Sequence, residues 1–65
     1  MNDTVQAQST HDQIVSLYDS YIVEQTKFEE KGNKAAATRA RKALGEMGKL
    51  AKTRRAEIQD KKNNM

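Results

Sequence analysis

Cations in the second half of this chain are the side chains best placed to do chemistry. Lys34, Arg41, Lys42, Lys49 and Lys52 recur at separations of three, seven and eight residues. At 100° per residue they form one band of about 100° along a helix, with Thr38, Gly45 and Gly48 among them and no Asp or Glu. A duplex offers one negative charge per about 1.7 Å of its axis, so such a row can meet several phosphates at once. Gly45 and Gly48 each lower helix stability by roughly 1 kcal/mol relative to Ala, but they let a sugar-phosphate backbone come close.

No other group of residues supports a reaction. His11 is the single histidine and there is no Cys, so zinc sites and thiol catalysis lack their ligands and nucleophile. Beside Asp12 near a helix start, His11 reads as a solvated surface residue. Carboxylates are either spread around the first half or interleaved with cations in the second, and no acid/base pair stands out. The run Lys31-Gly32-Asn33-Lys34 lacks the spacing of a phosphate-binding P-loop, and no strand precedes it. Tyr18, Tyr21 and Phe28 have the character of base-stacking aromatics, yet they share an arc with Ile14 and Leu17. Core is the better reading for them, and for Met47 as a gap filler.

The chain that must position these cations has 65 residues, 35% of them apolar, with no Pro and three Gly. That length allows one small domain. Below about 70 to 80 residues a single core stabilises a monomer weakly, by roughly 3 to 5 kcal/mol, and without Cys or a metal site the remaining support is another subunit. No apolar run approaches the length of a membrane span, and the N-terminal residues have neither the basic nor the apolar region of a leader, so a cytoplasmic protein is expected. With so little to punctuate the chain, long helices are favoured and the fold is read as all-α.

Charge is segregated along the sequence. Residues 1–30 hold Asp3, Asp12, Asp19, Glu24, Glu29 and Glu30 against Lys27 alone, whereas residues 31–65 hold all the other Lys and Arg against Glu46, Glu57 and Asp60. The formal net charge of +3 therefore conceals a strongly basic half. Such asymmetry fits binding of nucleic acid or another acidic surface, or pairing of two oppositely charged helices.

Residues 1–9 show no periodicity and are expected to be disordered. A first helix is expected over about 10–31, with Thr10 and Gln13 in the spacing of a capping box. Ile14, Val15, Leu17, Tyr18, Tyr21, Ile22 and Phe28 form one broad arc; Asp12, Asp19 and Glu30 lie opposite, and Val23 points out alone. Gly32 and Asn33 form the turn, Gly as helix stop and Asn as cap of the next helix. A second helix over about 34–60 places Ala36, Ala40, Ala43, Leu44, Met47, Leu50, Ala51 and Ile58 on one face, small near the turn and larger beyond it. Residues 61–65 should fray. Glu24 and Glu29 flank the first helix's arc, where they can reach the second helix. The result is an antiparallel two-helix hairpin whose apolar arc is wider than one neighbour can cover. A symmetric pair of hairpins forming a four-helix bundle is the economical solution.

The segment Lys31-Gly32-Asn33-Lys34-Ala35-Ala36-Ala37-Thr38-Arg39-Ala40-Arg41-Lys42, followed by Leu44, Met47, Lys49-Leu50-Ala51-Lys52, Arg55 and Glu57-Ile58, resembles the bacterial linker-histone-like family first known from the chlamydial histone-like nucleoprotein. The resemblance covers roughly residues 28–60; the first helix shares mainly apolar spacing. It implies a small helical nucleoid protein that compacts double-stranded DNA with little sequence preference. It further implies phosphate contacts from Lys31, Lys34, Arg39, Arg41, Lys42, Lys49, Lys52 and Arg55. Three departures stand out. The long Lys-rich tail of the chlamydial members is missing, which weighs against strong condensation; Arg54 occupies a usually apolar place; and Gly45 and Gly48 replace better helix formers.

The expected function is therefore non-enzymatic DNA binding in the nucleoid by a homodimer, with RNA as an open alternative ligand and no cofactor, metal, small-molecule substrate or membrane. The pattern of Asn, Gln and Arg that reads base edges is absent, which favours low specificity. A helical protein–protein module whose charges only choose partners is the competing reading. A basic helix lying on a membrane is weaker, since the Ala-rich face has no Trp or Phe anchor.

Overall fold

The computed structural model describes residues 8–65; the expected disorder of residues 1–7 lies outside the described residues. Two helices and no strand are present among them. Helix α1 spans Thr10–Lys31 and helix α2 spans Lys34–Asn63, folded back on each other as an antiparallel hairpin.

The turn follows from two residues. Gly32 takes the left-handed conformation at φ 64°, where a Cβ would be strained. From there its N–H donates to the Phe28 carbonyl at 2.9 Å and the Asn33 N–H to the Lys27 carbonyl at 3.5 Å, closing α1 with a left-handed glycine cap. Asn33 then starts α2, its Oδ1 accepting from the Ala36 N–H at 3.0 Å.

At the other end of α1 the cap is Ser9, not Thr10. Ser9 Oγ accepts from the Asp12 N–H at 3.0 Å, and Gln13 Nε2 reaches back to the Gln8 carbonyl at 3.3 Å. Two adjacent hydroxyl residues each precede a polar residue by three positions, so the sequence pattern alone leaves the register open by one. Released from capping, the Thr10 hydroxyl donates to Glu57 Oε2 across the hairpin at 2.6 Å. The C-terminal expectation is also corrected. Helix α2 continues through Lys61 and Lys62 to Asn63, because cations in the last turn oppose the negative helix end and Asn64 Nδ2 donates to the Asp60 carbonyl at 2.9 Å.

The buried core of the hairpin consists of alanine. Ala36, Ala40 and Ala43, spaced four and three apart, are its buried residues, Ala36 with no exposed surface at all. Met47 and Leu50 continue the same seam partly buried, facing half-buried Ile14, Leu17 and Tyr21. The remaining residues expected in a core are exposed within one chain: Tyr18 (53%), Ile22, Phe28, Leu44 (48%), Ala51 and Ile58 (52%). A second helix of finite width covers only the stripe that faces it. The apolar arc of α1 is broader than that stripe, so its far edge remains in water.

Two interhelical polar contacts pin the ends of this seam. Near the turn, Arg39 Nε stands 3.0 Å from Glu24 Oε1, an ion pair whose angle misses hydrogen-bond alignment. At the far end Arg54 occupies the half-buried seam position after Leu50, and its guanidinium meets Glu57 Oε1 at 3.2 Å while Thr10 holds the other oxygen. The Thr10 hydroxyl first, and Arg54 second, hold the Glu57 carboxyl below the usual glutamate range.

Two outcomes follow for stability. Gly32→Ala and Asn33→Ala should each destabilise the protein by about 1 kcal/mol, the first through left-handed strain and the second through loss of the cap, as measured by thermal melts followed by circular dichroism. Because the folded state depresses the Glu57 pKa, its contribution is present above the unfolded value and is lost as pH falls through the folded value. Between about pH 6 and pH 3 the Tm should therefore fall more in the parent than in Glu57→Gln, which has no charge there to lose.

Candidate nucleic-acid interface

Helix α2 owes its long basic surface to the way its seam is used. The residues facing α1 follow a four–three rhythm from Ala36 to Arg54, so positions half a turn away face solvent on the side remote from α1. Lys34, Arg41, Lys42, Lys49 and Lys52 occupy that far side and all five are exposed. From Lys34 to Lys52 the row extends about 27 Å at 1.5 Å per residue. Thr38 and Gly45 fill the gaps and Gly48 borders the band on the side of Leu44; nothing lies within 4 Å of where a Cβ would stand on either of these glycines. Asp60 falls at the angle of Lys42, two turns beyond Lys52, so the acid-free surface is confined to residues 34–52 and does not extend along the whole helix.

The eight expected phosphate contacts separate into groups. Five form the outward band. Lys31 is exposed in the last turn of α1, next to Gly32. Arg55 is exposed at the flank, between the band and the apolar positions. Arg39 is the exception: it turns to the seam and pairs with Glu24, which is only 19% exposed, although half of its own side chain remains in water. Sequence spacing gave Glu24 access to the second helix without indicating which cation it takes.

Among the described residues the ion pairs are Arg39 with Glu24 and Arg54 with Glu57. Both lie along the seam. The acids of α1 thus leave the outward cations of α2 alone, because α1 lies on the other side of the seam. Thr10 and Glu57 are functional in the structural sense that they clasp the open end, and they stand 47 residues apart. No local pattern links residues that distant.

Other sites offer less. His11 is exposed. No group of three His, Cys, Asp or Glu able to hold a metal occurs among the described residues. A shallow depression at the end of α2, lined by Arg54, Glu57, Ile58, Lys61, Lys62 and Met65, contains one carboxylate, already engaged by Thr10 and Arg54. No helix among the described residues is long and apolar enough to cross a membrane.

The family model for histone H1-like protein Hc1 matches residues 8–64, covering both helices as well as the turn segment. No curated protein and no solved structure matches the chain. A match over nearly the whole chain, on a helical hairpin with an exposed basic helix, shows that the chain belongs to the histone H1-like Hc1 family of DNA-packaging proteins.

Proposed function

We propose that this protein binds double-stranded DNA in the nucleoid through the phosphate backbone, with low sequence specificity, and contributes to compaction as a homodimer. It does so without catalysis or a cofactor. The observation that carries the proposal is the exposed band Lys34, Arg41, Lys42, Lys49 and Lys52, free of acids between its ends and turned away from α1. Long flexible cations on a straight helix bind phosphates as point charges, and counterion release from the duplex then supplies most of the affinity. Lys31 and Arg55 extend the contact at its edges. Arg39 contributes field more than direct contact while Glu24 holds it.

Homodimerisation is supported by the exposed Val15, Tyr18, Ile22, Leu44 and Ile58. A protomer whose buried core is three alanines gains little from its own packing, and a twofold partner removes this apolar surface from water.

Sedimentation equilibrium at micromolar concentration should give at least twice the 7.4 kDa chain mass; Tyr21→Lys should dissociate or unfold the assembly, and a compact, stable monomer contradicts the reading. If each dimer neutralises roughly four to eight phosphates, log K should fall against log salt with a slope of about −4 to −7, equal for unrelated duplexes. Replacing Arg41 and Lys49 with Gln should weaken binding and flatten that slope by about two units per chain, with circular dichroism unchanged. Replacing Lys61 and Lys62 should do much less. Equal losses from both pairs would mean that net charge, not the helical face, sets binding. No loss from either pair, with the assembly still broken by Tyr21→Lys, would favour a protein–protein module.

A further inference from the structure

Five exposed apolar residues, Val15, Tyr18, Ile22, Leu44 and Ala51, share one face of the hairpin, while Val23 points elsewhere. Val15, Tyr18 and Ile22 each follow a seam residue of α1 by one position, after Ile14, Leu17 and Tyr21. On α2, Leu44 and Ala51 follow Ala43 and Leu50 in the same way. In an antiparallel pair a step of one residue past the seam turns both helices to the same side. The Glu24–Arg39 and Thr10–Glu57 contacts fix which residues are level across the hairpin: Tyr18 with Gly48, and Ile22 with Leu44.

Two twofold arrangements stack that face on a second copy. With the axis running across the hairpin, α2 lies on α2 and α1 on α1. Arg41 and Arg55, which flank the apolar positions of α2, then lie in the contact between the two basic helices, cation-bearing edge against cation-bearing edge. With the axis parallel to the helices, each α1, with Glu29 at the edge of its apolar arc, lies on the partner's basic α2. Levels are preserved by such an axis, so Tyr18 meets Gly48 of the second copy and Ile22 meets its Leu44. Gly48 has open space where a Cβ would stand, which leaves room for a tyrosine ring. Like charges face to face disfavour a protein interface, whereas opposite potentials favour the complex.

We infer that two copies of this chain stack crosswise, α1 on the partner's α2, and that the dimer consequently bridges two DNA duplexes. Crosswise stacking puts the two α2 helices at diagonal corners of the bundle, so their basic bands face opposite flanks. One flank cannot serve both bands. The alternative stacking would align both bands on one side, where they would share a single duplex. The inference rests on the DNA-binding and dimer readings proposed above.

The chain has no cysteine, which makes single-site cross-linking direct. Tyr18→Cys and Gly48→Cys proteins are treated with a short bis-maleimide, alone and mixed; Ile22→Cys and Leu44→Cys form a second, independent pair. Covalent dimers should form in each mixture and be lost when either variant is treated by itself. In parallel, the unaltered protein is bound to a bead-immobilised duplex and offered a second, fluorescent duplex, with Leu44→Gln as the control that opens the apolar face while keeping every cation. The unaltered protein should capture the second duplex, and Leu44→Gln should lose that capture while still binding the immobilised one. Cross-linking of Tyr18→Cys or Leu44→Cys to itself overturns crosswise stacking. Crosswise cross-links without capture of a second duplex overturn bridging. No cross-link in any combination, with a monomer in sedimentation, overturns the dimer reading and this inference with it; no retention on the first duplex overturns the DNA reading instead.

Discussion

The seam between α1 and α2 is built on alanine, and the rest of the molecule is arranged around what so small a side chain can and cannot do. Ala36, Ala40 and Ala43 let two helices approach closely near the turn. They also bury little area, so the hairpin by itself removes only a narrow stripe of apolar surface from water. Larger side chains enter the seam only beyond it, at Ile14, Leu17, Tyr21, Met47 and Leu50, and none of them is fully buried. The open end is then held by a polar clasp, Thr10 to Glu57 to Arg54. Tyr18 and Tyr21, with ring centroids 6.5 Å apart, span the border between the seam and the exposed apolar face.

Helical periodicity converts this packing into electrostatics. A residue of α2 that faces α1 is within reach of its carboxylates, as Arg39 is of Glu24, while Arg54, also at the seam, is engaged by Glu57 of its own helix. A residue half a turn away has a helix diameter between it and those acids. Lys34, Arg41, Lys42, Lys49 and Lys52 are in that position, and at physiological salt the screening length of about 8 Å isolates them further. Two helices of opposite charge therefore coexist without cancelling each other, leaving a histone-like hairpin with a seam held by its own ion pairs and a band of cations exposed on its far side.

Features written in local sequence were legible before any coordinates. Gly32-Asn33 marked the turn because only one residue type takes a left-handed stop without strain and a neighbouring Asn can cap. The outward band was legible because angular position depends only on spacing. What escaped depended on contacts between distant residues or on near-degenerate local choices. Ser9 and Thr10 are equivalent as caps by type, and the decision falls to Thr10 being drawn to Glu57. Arg39 lies near the cationic band on the wheel, but the depth of Glu24 in the seam commits it inward. The large apolar residues matched a core by periodicity, whereas the space between two close helices admits alanine and leaves Leu44 and Tyr18 outside. Asp60 limits the band to its first five turns, which a list of cations alone does not reveal.

The central claim is that an outside polyanion is met by the far face of α2, and residue-resolved NMR of the labelled protein titrated with a short duplex of arbitrary sequence tests it most directly. Shift changes should centre on Lys34, Arg41, Lys42, Lys49 and Lys52 with Thr38 and Gly45 between them, should leave Ile14, Leu17 and Tyr21 unaffected, and should be the same for a second, unrelated duplex. Changes centred on Tyr18, Ile22 and Leu44, or confined to Lys61 and Lys62, would contradict it.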